Sequence, residues 1–154
     1  MNKSIFADKI NDGEKIIEIL TTQLKYHQEL LRDTSKFKEL LTENSNEDLL
    51  DKAIRERGLL IDKIASSNKY YYSIKESCRF ADNSNWKTSM DELLQNIRQL
   101  WNSTVIINAD NIALIRDHIK EITSNLEKIQ EGKHLVNNEK KCIEILPSLV
   151  DVCG

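Results

Sequence analysis

Between Ser89 and Gly132 the chain contains no glycine and no proline, so no residue in this stretch interrupts a helix. A helix over these roughly forty residues would be about 60 Å long, at 1.5 Å per residue. The whole chain of 154 residues has only 4 Gly and 1 Pro. A sandwich or barrel of many short strands requires more turn residues than that. The sequence therefore predicts a helical protein.

Apolar residues recur at intervals of three and four in two earlier stretches, which is the pattern of amphipathic helices. The first stretch covers about residues 13–41 and ends at a polar turn. Ser45, with Asp48 three residues later, has the form of a capping box and predicts the start of the second helix, which continues to about residue 80. Gly58 within it costs only about 1 kcal/mol relative to Ala, so we expect the helix to continue through it.

The third helix has clear predicted ends. Ser89 and Glu92 form a Ser-x-x-Glu capping box at its start, and Gly132 fits the C′ position just after its end. We therefore expect an all-α chain, an antiparallel helical bundle or coiled coil of three long helices over residues 1–133. Residues 134–154 are predicted to form a mobile C-terminal tail.

Charge and hydropathy exclude several classes of partner. Lys plus Arg number 22 and Asp plus Glu 25, with the signs interleaved, whereas a nucleic-acid-binding protein usually carries a basic patch. The longest run without a charged residue, Gln99–Ala109, is about half of what a membrane-spanning helix requires. Met1–Phe6 lack the apolar segment of a secretory signal. We therefore expect no nucleic-acid partner, no membrane insertion and a cytoplasmic location.

The residue types that carry catalysis or bind metals are scattered. The cysteines have no paired spacing, which favours free thiols over a disulfide framework or a zinc site. Only Glu131–His134 has the Glu-x-x-His spacing, and a di-metal bundle requires two such motifs. No P-loop, nucleophile elbow or dinucleotide-binding motif is present. We therefore expect no enzyme activity, no cofactor and no metal. The scattered residues are Cys78, Cys142, Cys153, His27, His118 and His134.

A polar row lies in the middle of the apolar face of the third helix. At about 100° per residue it falls between two apolar columns, which begin at Leu93 and Leu94 and repeat every seven residues. One interpretation is a buried polar layer that fixes the register of the bundle. The other is a less covered surface that offers hydrogen-bond partners to a guest segment. The row consists of Ile97, Thr104, Asn111, His118 and Asn125.

Two features of the second helix concern its surface. Tyr70, Tyr71 and Tyr72 are consecutive, so they point in different directions around the helix and at least one must be exposed. An exposed tyrosine suits a partner contact but is also common on protein surfaces. The charged series Arg55, Glu56, Arg57, Asp62 and Lys63 is interpreted as a solvated face.

Several segments resemble one family of helical proteins. The segment Ile54–Ile64 is similar to the second-helix pattern of bacterial flagellar type III export chaperones of the FlgN and FliT type. Asn108–Ile115 and Leu126–Lys133 resemble their long C-terminal helix, with its paired Asn and its closing Gly-Lys. Leu149–Gly154 is similar to the short tails of some members. The resemblance covers about residues 13–133.

This resemblance implies a cytoplasmic, non-enzymatic chaperone. Such a protein binds the C-terminal amphipathic helix of a hook-associated or filament-cap protein, prevents premature polymerisation and delivers it to the export apparatus. After Lys133 some members have a tyrosine, whereas this chain has His134, Leu135 and Val136, which leaves any export-gate contact there unassigned.

The client would lie along an apolar strip on the third helix, as in other helix-in-groove complexes. The alternative is a cytoplasmic coiled-coil scaffold or adaptor that acts by self-association, and a homodimer is compatible with both interpretations. The predicted client-binding residues are Asn111, Leu114, Ile115, His118, Ile122, Leu126 and Ile129.

Overall fold

The computed structural model describes residues 3–43, 45–77 and 84–150. Within these ranges the chain is helical except at the turn between the first two helices, and no strand is present. The helices are α1 (Lys3–Thr42), α2 (Glu47–Ser77) and α3 (Ser84–Val150). The predicted all-α chain of three long helices is therefore confirmed.

The chain divides into two compact units. The first, Met1–Ile112, contains α1, α2 and the beginning of α3. The second, Ala113–Gly154, contains the remainder of α3. The predicted boundary at residue 133 is not tested by this division.

The first unit is a three-helix bundle of up-down-up topology. Trp86 lies against Gly13, and the rings of Trp101 and His27 form a T-shaped pair, so α3 advances in the same direction as α1. On α2 the order is reversed, because residues near its end pack beside the beginning of α1. Tyr71 belongs to the same apolar cluster as Ile16, Ile19 and Leu20, whereas Leu60 and Ile64 cluster with Leu30.

One face of α1 forms the centre of this bundle. Eight of its buried residues recur at alternating intervals of four and three, which keeps them on one side of the helix. Three of the eight are polar, so the core departs from a purely apolar stripe. The row is Ile16, Leu20, Gln23, His27, Leu30, Thr34, Phe37 and Leu41.

Apolar burial is concentrated in two clusters. The first surrounds Ile16 and Leu20, where Tyr71 of α2 meets partly buried residues of α3 such as Leu93 and Ile97. The second joins Leu30 to α2. Each fully buried Leu or Ile side chain stabilises the folded state by about 1.5–3 kcal/mol. These clusters therefore account for most of the cohesion between the helices.

The turn between α1 and α2 is stabilised by backbone and side-chain hydrogen bonds. The backbone N–H of Ser45 donates to the carbonyl of Leu40, a bond that closes the end of α1. The side chain of Asn46 accepts from the backbone N–H of Asp48, at 3.0 Å between Oδ1 and N. Asn46 is therefore the N-cap of α2, and the prediction that Ser45 caps this helix is wrong by one residue.

Two predicted ends of the third helix are also wrong. The helix begins at Ser84, so Ser89 and Glu92 lie inside its first turns and form no capping box. It continues through Gly132 to Val150, so Gly132 does not close it. A helical glycine costs only about 1 kcal/mol relative to Ala, which a long helix tolerates. The predicted tail is helical up to Val150, and its mobility stays a prediction.

Polar side chains of α1 and α3 meet near the end of α1. Asn111 is 1% exposed, and its Nδ2 donates a hydrogen bond to the backbone carbonyl of Thr34 across 3.2 Å. The Thr34 hydroxyl donates to Leu30 O within its own helix, and Thr104 is buried as well. Within the first unit, the polar row is therefore a buried layer that joins two helices, as the first of the two interpretations predicts.

His27 is buried in the same core, and its ring forms a T-shaped pair with Trp101 at 5.9 Å between the ring centroids. Its Nδ1 is buried without a hydrogen-bond partner among the described residues. Burial therefore lowers the pKa of His27 below its ordinary value of 6.5, because the apolar surroundings disfavour the imidazolium.

Arg57 of α2 contacts both α1 and α3, which its sequence pattern does not predict. Its guanidinium lies over the Phe37 ring at 5.1 Å, and Nη2 donates to Asn108 Oδ1 at 2.8 Å. Burial lowers the pKa of Arg57, and the nearby Asp33 carboxylate opposes that shift. The prediction of a solvated face is wrong for Arg57, which is half-buried, and correct for the neighbouring Arg55.

The lowered pKa of His27 predicts that the bundle is less stable in mild acid. The unfolded chain takes up a proton near pH 6.5, whereas the folded chain resists it to lower pH, so stability is full above about 6.5 and falls below it. We expect urea unfolding midpoints to decrease between pH 7.5 and pH 5.5. His27→Gln should reduce this decrease, and the exposed His134→Gln should not. Equal pH dependence in all three proteins would contradict the assignment.

The burial of Asn111 predicts that it stabilises the core, and another residue of the same polar row provides the control. Asn111→Ala removes the bond to Thr34 and leaves a cavity, so we expect a loss of about 1–2 kcal/mol in the free energy of unfolding. Asn125 occupies the same polar row but is exposed, and Asn125→Ala should change stability by less than about 0.5 kcal/mol. Urea titrations of both variants, followed by tryptophan fluorescence, measure these changes. Equal losses of stability in the two variants would contradict the core role of Asn111.

Candidate functional site

An apolar row lies exposed along the helix of the second unit. Ile119, Ile122, Leu126 and Ile129 are each more than half exposed, with Ile122 at 59%. They recur at intervals of three and four, so they lie on one side of the helix. Scattered apolar residues are ordinary on a protein surface, but a contiguous row of large aliphatic side chains marks an interaction site. We call these four residues the aliphatic row.

The structure separates the seven predicted client-binding residues into three groups. Ile122, Leu126 and Ile129 lie in the aliphatic row and are exposed as the prediction requires. Leu114, Ile115 and His118 are half-buried. Asn111 is in the core of the first unit and bonded to Thr34, so its assignment to a client-binding surface is corrected. Its burial follows from the polar layer described above.

Sequence reasoning missed Ile119. Ile119 lies outside the two seven-residue columns that begin at Leu93 and Leu94, and so does Leu126, which the predicted strip includes. The signal was present, since Ile119 stands three residues before Ile122 and four after Ile115. Intervals of three and four from a single starting residue identify the aliphatic row more directly than seven-residue columns do.

The surroundings of the aliphatic row are polar but offer few charges beside it. The nearest resolved ion pair joins Lys120 and Asp117 at 3.7 Å, and both side chains are largely exposed. The hydroxyl of Thr123 donates to Ile119 O at 2.8 Å, so it is engaged with its own helix. An exposed pair of this kind contributes at most about 1 kcal/mol. Contacts along this face would therefore come mainly from apolar burial.

The three consecutive tyrosines of α2 differ in their exposure. Tyr71 is buried at 5% exposure, whereas Tyr70 and Tyr72 are more than half exposed, so the prediction of at least one exposed tyrosine is confirmed. Tyr70 borders a groove of about 740 Å³ between α1 and α2, which also contains Tyr26 and Leu59. The groove rim carries both acidic and basic residues, so it presents no single sign of charge to a ligand.

The part of the chain that the structure describes contains no group of three His, Cys, Asp or Glu side chains that could hold a metal ion. Cys78 and Cys153 lie outside the described residues, and so does the side chain of Cys142. Over the described ranges, no helix has a stretch long and apolar enough to cross a bilayer.

The chain matches no protein-family model, no curated protein and no solved structure. The class that the fold and the site define is an all-α helical bundle with an exposed apolar helix face.

The exposure of the aliphatic row predicts that it contributes little to the stability of the bundle. Ile122→Asp with Ile129→Asp should leave the unfolding of the first unit unchanged, because charges at solvated positions need no desolvation. Both tryptophans lie in the first unit and report its unfolding by fluorescence. Leu20 is fully buried, so Leu20→Asp should prevent stable folding and serves as the contrasting control. If the double variant unfolds as Leu20→Asp does, the row is core.

Proposed function

We propose that this protein is a non-enzymatic chaperone that binds an amphipathic helix of a client protein along the aliphatic row. The observation that carries the proposal is the exposure of four aliphatic residues on one side of the helix of the second unit. A client helix can lay its own apolar face against such a row, as in other helix-in-groove complexes. The client would then be shielded from premature assembly for as long as it stays bound.

The resemblance of the sequence to flagellar export chaperones supports a specific client. It rests on Ile54–Ile64, Asn108–Ile115 and Leu126–Lys133, and the last of these contains two members of the aliphatic row. In this proposal the client is the C-terminal amphipathic helix of a hook-associated or filament-cap protein. The chaperone acts in the cytoplasm and delivers that subunit to the export apparatus.

The apolar area of the row sets the scale of the binding energy that it can contribute. At about 25 cal/mol per Å² of apolar area, covering several half-exposed Ile and Leu side chains contributes several kcal/mol before association costs are subtracted. Micromolar dissociation constants correspond to about 8 kcal/mol. A chaperone that must release its client benefits from binding in this range.

A binding titration tests the proposal. The full chain is titrated into a fluorescently labelled peptide that carries the C-terminal helix of a hook-associated protein, and anisotropy gives Kd. We expect Ile122→Asp with Ile129→Asp to weaken binding by at least about tenfold, because each introduced carboxylate would be desolvated against the client.

The matched control is Leu135→Asp. Leu135 is 66% exposed and aliphatic, but it does not lie on the side of the helix that carries the aliphatic row. Its substitution should leave Kd within about twofold of the wild-type value. If the double variant binds the peptide as well as wild type, the site assignment is wrong. If no hook-associated or cap helix binds to the wild-type chain, the proposed client class is wrong.

A further inference from the structure

The aliphatic row has the repeat of a two-stranded coiled coil. In a seven-residue heptad whose contact positions are a and d, Ile119 and Leu126 occupy a, and Ile122 and Ile129 occupy d. The next positions are Lys133 at a and Val136 at d, and Val136 is half exposed. The apolar seam therefore extends over Ile119–Val136 with one interruption, at Lys133.

The residues beside this seam carry no charge. In coiled coils the e and g positions flank the contact positions, and their charges choose the partner. Here every flanking residue lacks a carboxylate, ammonium or guanidinium group, while Asp, Glu and Lys lie at the outer positions. A partner selected by charge would find nothing to pair with, whereas a second copy brings no like charges together. The flanking residues within the seam are Thr123, Asn125, Gln130 and Gly132.

Lys133 decides the direction in which two copies pair. In a parallel pair each a position faces the same a position, so Lys133 would meet Lys133 of the second copy inside the seam. In an antiparallel pair a faces d, and Lys133 lies opposite Ile122 of the second copy. Its aliphatic stem then covers the isoleucine while the ammonium reaches water. The same alignment places Leu126 opposite Ile129 and Ile119 opposite Val136.

We propose that the aliphatic row is covered by the same row of a second copy of this chain, in an antiparallel two-stranded coiled coil. The pairing is isologous, because each contact occurs twice about a two-fold axis between residues 127 and 128. All of its apolar contacts come from exposed residues of the second unit, so the bundle of the first unit need not change.

The pairing has a consequence for regulation, which rests on the proposed function. If the row also binds a client helix, the second copy and the client compete for the same side chains. The apolar row is then covered in the free chaperone, which limits nonspecific association, and the client must displace the copy.

Sedimentation equilibrium of the full chain without any client tests the pairing. We expect a reversible dimer, and Ile122→Asp with Ile129→Asp should raise its dissociation constant by at least about tenfold because carboxylates enter the seam. Leu135→Asp lies outside the seam and should leave the dimer as strong as wild type. A monomeric wild-type chain overturns the inference, and so does a dimer that the double variant does not weaken.

A disulfide experiment tests the direction. In full chains whose three native cysteines are replaced by Ser, Ile119→Cys and Val136→Cys are introduced separately, and the two proteins are mixed and oxidised. The antiparallel pairing predicts the mixed disulfide as the main product. Disulfides between two copies of the Ile119→Cys chain would indicate a parallel pair and overturn the direction.

Failures of the two proposals can be told apart. A monomeric chain that binds a hook-associated helix contradicts the self-pairing alone. A dimeric chain that binds none of the tested helices contradicts the proposed client alone, and the protein then fits the scaffold alternative, in which self-association is the function.

Discussion

The packing of one face of α1 against both other helices is the interaction on which the first unit depends. Near its beginning this face joins Tyr71 of α2 to partly buried residues of α3, and near its end it bonds to Asn111. Because both neighbours contact the same row, neither can slide along α1 without disturbing the other. A helix with a single buried row can therefore define a bundle of three.

Polar contacts set the register of this bundle, whereas apolar contacts supply most of its stability. The bond from Asn111 to Thr34 can form at only one alignment of α3 and α1, and the bond from Arg57 to Asn108 likewise fixes α2 against α3. Aliphatic side chains tolerate a shift of one turn more easily, because they lack directional partners. The exposed pair between Lys38 and Asp110 contributes at most about 1 kcal/mol. Specificity thus comes from the half-buried and buried polar groups.

The number and type of helices could be predicted from the sequence because their apolar intervals are long and regular. Details that depend on one side chain could not. Asn46 and Ser45 are both good N-caps, and only the backbone path decides which one accepts the bond from Asp48. Gly132 resembles a helix end, yet a single glycine does not stop a helix that continues on both sides.

The burial of polar residues in the core also could not be predicted from the sequence. Gln23, His27 and Thr34 lie in the buried row of α1, but a search for apolar periodicity passes over them. Arg57 resembles its charged neighbours in sequence and differs from them only because Phe37 of α1 lies under its guanidinium. For the candidate site, three exposed members of the aliphatic row were predicted from their intervals. Asn111 was assigned to the surface because sequence alone does not show which face of a helix a neighbour covers.

The apolar residues of α3 have different surroundings in its two parts. In the first unit, Leu93 and Ile97 are partly buried against the cluster around Ile16 and Leu20. In the second unit, all four members of the aliphatic row are more than half exposed. A helix that served only to complete the bundle would carry polar residues where no neighbour covers it. The exposed row therefore favours a second partner for the second unit, and its uncharged flanks favour a helix that carries the same row.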